Sequence, residues 1–418
     1  MYKKSRDKYE LLAPVGTYES LAAAIQAGAN GVYFGVEQLN MRAKSTNNFK
    51  IDDLPKIVQI THDNGLKAYL AVNTIIYDHE IPVMKQLVEA AKIAGIDAVI
   101  ASDQAVINYS HQVGMPVHIS TQVNVSNVET LKFYAPFADV MVLARELTLS
   151  QVKYLTSKID EENITGFSGE KIKIEIFVHG ALCMAVSGKC YMSLHEFNSS
   201  ANRGACQQTC RRAYVVTDKE TGYQLEIDNE YIMSPKDLAT FYFFDKIMES
   251  GATVFKIEGR ARGPEYVKKT VEVYNDVINS VLEGSFSPKK VKMWESELKK
   301  VYNRGFWDGY YLGRKLGEWS NVYGSMATQK KLYIGKVSNY FSKAKVAEIK
   351  LEAYDLSLGD KIMIIGPTTG VIETEITGLR NYEQQDVKRI DKGNIATFPL
   401  QDKLRRSDRV YKIVEIKH

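Results

Sequence analysis

The sequence contains no run of about eighteen consecutive apolar residues, so no segment of it reads as a membrane-spanning helix. Its first residues, Met1-Tyr2-Lys3-Lys4-Ser5-Arg6-Asp7, are polar with no apolar stretch behind them, so no secretory leader is expected. Motifs of several common enzyme classes are missing too. There is no G-x-S-x-G turn to expose a hydrolase serine, and His195-Glu196 lacks the second histidine of H-E-x-x-H. Neither a G-x-x-x-x-G-K-[ST] phosphate loop nor a G-x-G-x-x-G fingerprint is present, which speaks against ATP and dinucleotides as ligands. Cysteine is scarce: four in 418 residues do not make a disulfide scaffold. These absences lead to the expectation of a soluble, cytoplasmic protein with no membrane partner. The 45% hydrophobic and 25% charged composition is that of an ordinary globular chain.

What is there is ordered. Short apolar runs of β type recur at Leu11–Val15, Val32–Gly35, Ala68–Asn73, Ala98–Ala101, Val117–Ser120, Val140–Ala144, Ile172–Val178 and Val254–Ile257, with helical patterns such as Tyr18–Ala27 and Ile81–Ala94 between them. Strands alternating with helices make a parallel sheet covered by helices, and about eight such units favour closure into a (β/α) barrel. From about Lys330 the texture changes to short alternating runs separated by turn signals, as in an all-β domain. The fold class expected is therefore α/β: a barrel-like catalytic domain over 1–285 with a Cys-rich insertion, a basic aromatic helical linker over 286–329, and a small β-barrel over 330–418.

The net charge of +4 is unevenly spread. Residues 286–350 hold fourteen Lys and Arg, Arg314 and Lys315 among them, against five acids, together with all three tryptophans, Trp294, Trp307 and Trp319. Cations interleaved with flat rings suit nucleic acid, although a solvated helix face followed by a packed hinge has the same composition.

All four cysteines fall between 183 and 210, spaced C-x6-C-x15-C-x3-C. In a reducing compartment such a grouping means an iron–sulfur cluster or a tetrahedral zinc. Only the last pair has zinc-knuckle spacing, and Gly188 and Gly204 lie beside the thiols, so iron–sulfur is the preferred reading, with zinc as the alternative. Cys183 follows an apolar strand ending in His179, which places the group at the catalytic face of a barrel.

The stretch Glu175-Ile-Phe-Val-His-Gly-Ala-Leu-Cys183-Met-Ala-Val-Ser-Gly-Lys-Cys190-Tyr-Met-Ser193 resembles the signature of the collagenase-like peptidases, the unassigned-type peptidase family 32. Leu12-Ala-Pro-Val-Gly16, Ile119-Ser-Thr-Gln122, Leu143-Ala-Arg-Glu-Leu147, Asn202-Arg-Gly-Ala-Cys206-Gln-Gln-Thr-Cys210, Lys256-Ile-Glu-Gly-Arg260 and Asn303-Arg-Gly-Phe306 extend the match in order along the chain. The resemblance implies hydroxylation of RNA or a quinone precursor rather than proteolysis. In length and tail the chain is most similar to the prephenate-dependent hydroxylases of the tRNA wobble uridine at carbon 5. It implies a [4Fe–4S] cluster on Cys183, Cys190, Cys206 and Cys210, prephenate as cosubstrate and tRNA as partner. The other outcomes are a hydroxylase of ribosomal RNA, a metal-dependent endopeptidase and a zinc-stabilised RNA-binding module.

Prephenate is a dicarboxylate, so its site needs Arg or Lys; Arg145, Lys256 and Arg260 stand at predicted strand ends. Structural ion pairing, of Arg145 with Glu146 or Glu258 for example, is the competing role for them. Thr121, Gln122 and Asn124 offer hydrogen bonds to a base edge or a carboxylate. Arg203, Arg211 and Arg212 beside the cysteines suit the same ligands or RNA phosphate. His179 is the candidate general acid–base, or else a satisfied core histidine. Glu175, two alternations earlier on the same strand, is expected to point the same way and to act with it or to hold a buried ion pair. A Cys–His protease built on His179 or His195 leaves three further thiols without a role.

Overall fold

The computed structural model describes residues 5–44, 48–212, 216–217, 219–222, 224–225, 234–313, 318–320 and 324–416. Arg314 and Lys315 of the basic window, and the first four residues, lie outside them. Eight parallel strands form the barrel: β1 (Glu10–Pro14), β2 (Gly31–Phe34), β3 (Lys67–Val72), β4 (Ala98–Ala101), β5 (Val117–Ile119), β6 (Val140–Val142), β7 (Lys173–Gly180) and β8 (Val254–Ile257). Closure comes from β8, which pairs with β1 through Glu10↔Val254 and with β7 through Val254↔Glu175. Successive side chains alternate between the two faces. Leu12, Tyr33, Tyr69, Ile100, Val140 and Val254 therefore pack in the bore, while Leu11, Ala13, Val32, Phe34, Leu70 and Val99 pack in the layer under the helices. With both faces covered, the strands read as continuous apolar runs.

The outer ring comprises α1 (Tyr18–Gln26), α2 (Leu54–Asp63), α3 (Ile81–Ala94), α4 (Gln104–Gln112), α5 (Val128–Tyr134), α6 (Leu149–Glu161), α7 (Phe244–Glu249) and α8 (Pro264–Leu282). Several begin on side-chain caps, Thr17 accepting from the Ser20 amide and Asp103 from that of Ala105. Asp103, which follows the end of β4, is thus spent on a helix start. Between β7 and α7 the chain makes the cysteine-bearing excursion. It returns through a short strand, Asp237–Ala239, that runs antiparallel to the end of β7.

After α8, the linker forms α9 (Pro288–Lys299). Its tryptophans serve packing: Trp294 is buried and donates to Asp276 at 2.7 Å, Trp307 is buried, and Trp319 is half-buried beside Pro235. Much of the charge of the basic window is paired, with Lys299–Glu295 at 2.8 Å and Lys331–Glu265 at 2.7 Å. Of the two readings of that composition, the packed hinge is the one found for the tryptophans.

The C-terminal region is all-β, as expected. Six antiparallel strands, β9 (Gln329–Phe341), β10 (Val346–Leu351), β11 (Lys361–Gly366), β12 (Gly370–Glu375), β13 (Ile395–Pro399) and β14 (Arg409–Glu415), stand in the order β12-β11-β14-β9-β10-β13. The strand β13 escapes the sequence reading: it is a short edge strand ended by Pro399, as edges commonly are. This region docks on the barrel's outside, where Ala23 of α1 packs against Met363, Ile365 and Val371. Gln26 clasps the docked hairpin, donating to the Thr369 carbonyl at 2.7 Å and accepting from the Val371 amide at 3.0 Å. Among the described residues no helix is long and apolar enough to cross a membrane.

Replacing Gln26 by Leu strands both backbone groups and is expected to cost about 1–3 kcal/mol of stability. Faster hydrogen exchange at the Val371 amide, together with a lower thermal midpoint, is the readout; unchanged exchange would show that the clasp contributes nothing.

Candidate active site

The strands of a (β/α) barrel deliver their loops to the C-terminal mouth, and there the structure has a cavity of about 170 Å³. Barrel strands contribute Tyr33, Ile100, Val142, Phe177 and Lys256 to it; the segments after them contribute Arg42, Thr121, Gln122, Arg145, Glu258 and Arg260. The segment after β7 brings in Cys183, Cys190, Cys206 and Cys210. Ten of the candidate site residues singled out from sequence thus line one cavity: the four cysteines with Thr121, Gln122, Arg145, Arg211, Lys256 and Arg260.

Glu175 and His179 do not line it. Glu175 is fully buried in the bore, its Oε1 2.7 Å from Lys256 Nζ and its Oε2 3.6 Å from His118 Nδ1. Burial works to raise its pKa, but the ammonium of Lys256 and His118 outweigh it and hold the carboxyl below its usual range. Burial pulls Lys256 the other way, below an ordinary lysine, with Glu175 opposing.

The expectation that His179 faces the same way as Glu175 is corrected by a β-bulge. Lys256 and Ile257 of β8 pair with Phe177 and His179 of β7, so Val178 is the extra residue and the alternation breaks there. Phe177 stays at the cavity. His179 instead packs among Tyr266, Tyr274 and Phe306, with its Nδ1 3.3 Å from the Tyr274 hydroxyl. Burial, helped by Arg262, lowers its pKa to about 3, so the ring is neutral at pH 7.

Arginine decides the electrostatics of the cavity. Glu258 is taken by Arg42 at 3.1 Å, and Lys256 by Glu175. Arg145 and Arg260 form no ion pair among the described residues, so the pairing of Arg145 with Glu146 or Glu258 anticipated as an alternative is not made. Arg145 donates to the Ala181 carbonyl at 3.0 Å and lies 3.8 Å over the Phe177 ring, its buried Nε left without a partner. Arg260 donates to Asn40 Oδ1 at 3.1 Å, and burial brings its pKa down to about 10, still charged at neutral pH. Arg211, which also lines the cavity, has no carboxylate partner but spends its donors on the Ser234 hydroxyl and the carbonyls of Pro235 and Leu182, so Arg145 and Arg260 are the guanidiniums left for a ligand.

Outside the cavity, Arg203 forms a two-pronged ion pair with Glu80 at 2.5 Å. Arg212 meets Glu196 at 2.6 Å, and Asn124 ties down the cysteine segment through the Ser187 carbonyl at 3.2 Å. Sequence reasoning missed Arg42, Tyr33 and Phe177, and named Glu258 only as a partner for Arg145. Glu258 sits inside a stretch already singled out, and Phe177 follows from counting two residues on from Glu175. Arg42 lies in a loop with no motif to mark it.

Cys183 is exposed at the mouth and the other three thiols are half-buried. Among the described residues no three Cys, His, Asp or Glu side chains close into a ligand set. The donor set itself suits a soft centre: four sulfurs around one cavity, with no carboxylate or imidazole among them. Gly204, at φ +75°, lets the backbone pass Asn40, whose carbonyl oxygen would lie 2.4 Å from an added Cβ, and so seats Cys206 against the barrel.

Residues 16–321 match the model of peptidase family U32. The chain belongs to that family. Among U32 relatives, a protein named collagenase from Porphyromonas gingivalis is 54% identical over 97% of both chains. The tRNA hydroxylation protein P1 of Bacillus subtilis is 31% identical over 88% of this chain and 86% of its own. The 23S rRNA 5-hydroxycytidine synthase of Escherichia coli is 30% identical over 74% of this chain and 46% of its own.

Because Glu175 is held below the value of about 4.3 it would have unfolded, it stabilises the fold at neutral pH, and that contribution is lost as the pH falls from about 5 through the lowered value. Glu175→Gln strands Lys256 and is expected to cost about 3–5 kcal/mol at pH 7. Thermal midpoints recorded against pH should show the gap to wild type closing below about pH 4; a gap independent of pH would contradict the ion pair.

Proposed function

We propose that this U32 protein is an RNA-modifying enzyme that replaces the C5 hydrogen of a tRNA wobble uridine by hydroxyl, in a reaction dependent on prephenate and on a [4Fe–4S] cluster. The observation that carries the reading is the pair of unmatched guanidiniums, Arg145 and Arg260, in a cavity walled by Tyr33 and Phe177 beside four thiols. Two fixed positive charges match the two carboxylates of prephenate, and the rings match its apolar body. The relatives named for tRNA and rRNA hydroxylation support the same reaction class.

In this reading Arg145 and Arg260 bind the carboxylates, Arg42 and Lys256 set the potential of the pocket, and Thr121 and Gln122 orient the ligand by hydrogen bonds. Glu175 is a positioning residue that fixes Lys256, and His179 is a packing residue. Cys183, Cys190, Cys206 and Cys210 would hold the cluster, which supplies one-electron chemistry when bound. A target base must leave its stack to enter the cavity. The reading puts the protein in the cytoplasm, where tRNA is.

The name of the Porphyromonas relative favours a second reading, an endopeptidase acting on collagen-like chains. Against it, no histidine lines the cavity among the described residues, and the carboxylate lining it, Glu258, is committed to Arg42. A serine or cysteine there has no base to activate it.

Two measurements test the proposal. Nucleoside analysis of tRNA from a deletion strain lacking paralogues should show loss of 5-hydroxyuridine derivatives; an unchanged level, with gelatin cleaved by the purified protein, would establish the peptidase. Metal analysis of anaerobically purified protein should give about four irons and four sulfides, whereas one zinc without sulfide would reduce the cysteines to a structural site.

Substituting Arg145 or Arg260 by Gln should each raise the prephenate concentration needed for half-maximal modification by about tenfold or more, since each removes one charge-assisted hydrogen-bonding group. Titration of prephenate against modification in vitro checks this.

A further inference from the structure

If a flipped base enters the cavity, the rest of the RNA strand must lie on what surrounds the mouth. The tryptophans of the linker, buried or half-buried, do not provide that surface. The cysteine segment does present exposed apolar and aromatic side chains at the rim. Met184 and Val186 line the cavity yet are exposed, Tyr191 is 74% exposed immediately after Cys190, and Phe197 is 45% exposed at the end of the short helix Met192–Phe197. The guanidinium of Arg212 lies 4.9 Å over the Phe197 ring.

Arg212 in turn lines a second, polar cleft of about 580 Å³ that shares Cys206, Gln208 and Arg211 with the cavity. Lys44, Arg211, Arg212 and Arg304 line this cleft, and no carboxylate does among the described residues. Arg211 is spent on the carbonyls of Leu182 and Pro235, and Arg304 leans on Asp237 at 3.5 Å. Lys44 is exposed, and Arg212 has a half-exposed partner, Glu196, that a phosphate can displace at little cost. Tyr302, with the Arg262 guanidinium 3.7 Å from its ring centre, forms a further flat wall.

Exposed rings next to a cleft of one charge sign are the two elements of a single-strand site: stacking platforms for bases and cations for the backbone. We propose that single-stranded RNA docks across this rim, with bases flanking the target laid on Tyr191 and Phe197 and the sugar–phosphate backbone drawn into the cleft of Lys44, Arg212 and Arg304. The proposal rests on the RNA-hydroxylase reading above and names where that substrate is held.

The test is fluorescence anisotropy of the full chain with a labelled, unmodified anticodon stem–loop RNA. Tyr191→Ala combined with Phe197→Ala should weaken binding by about tenfold or more. Lys44→Glu combined with Arg212→Glu should weaken it and lower the slope of log affinity against log salt by about two. Phe133→Ala, an exposed ring on α5 away from the mouth, should change nothing. Both double variants binding like wild type would overturn the proposal while leaving the hydroxylase reading in place. So would variants that keep RNA affinity but lose a stoichiometric protein partner, since the rim would then be a protein interface. Wild-type protein with no affinity for RNA would remove the reading and the proposal together. Photo-crosslinking of 4-thiouridine-labelled RNA to wild type needs no variant to fold: crosslinks within 184–212 are expected, and crosslinks confined to 330–416 would overturn the proposal.

Discussion

The ion pair between Lys256 and Glu175 is the constraint around which the barrel's upper half is built. Both groups are out of water, in a bore otherwise filled by Leu12, Tyr33, Tyr69 and Ile100. A pair of hydrocarbon side chains would often fill such a space at least as stably, because two desolvated charges regain little more than their hydration when they meet. What the pair adds is a fixed, rigidly oriented cation at the inner end of the cavity. Once Lys256 is neutralised from behind, the guanidiniums of Arg145 and Arg260 can share the same small space without three uncompensated charges repelling one another.

Rigidity of this kind comes from the regular part of the fold, and variety from the excursions. Lys256 and Phe177 stand on paired strands, whereas Arg42 and the cysteines stand on loops held by particular side chains. Asn40 is the clearest of these: fully buried, it receives the Arg42 amide at 3.0 Å and the Arg260 guanidinium at 3.1 Å, so one amide oxygen joins two loops of the mouth. The all-β region attaches to α1 on the barrel's flank, so its contacts govern attachment of that region and leave the cavity to the barrel alone.

The barrel was largely legible in the sequence, because parallel strands buried on both faces leave unbroken apolar runs and their helices start on recognisable caps. The grouping of the thiols with Arg145, Lys256 and Arg260 was legible for a related reason: strand-end residues of a closed barrel converge wherever they stand in the chain. Arg42 was not, since a loop residue is placed by Asn40, a contact without periodicity. For the tryptophans the sequence left a stacking surface and a packed hinge equally open, because composition counts aromatics without saying which way they face. Nor could His179 be placed, for a bulge is set by the pairing of two strands and leaves no mark on one of them.

That bulge has a further consequence. One supernumerary residue, Val178, changes the parity of β7, so positions before it count inward in odd steps and positions after it in even ones. The strand thereby serves two chemistries without mixing them: an ionic interior up to Phe177, and an aromatic exterior from His179. Were the bulge smoothed out with every residue kept, so that Val178 stood opposite Ile257, composition, charge and motifs would be untouched, yet the imidazole would turn toward the lumen and the cysteine segment would leave from the opposite face of the strand. The geometry of the mouth is in this sense an arithmetic property of the chain, held by how many residues intervene as much as by which ones they are.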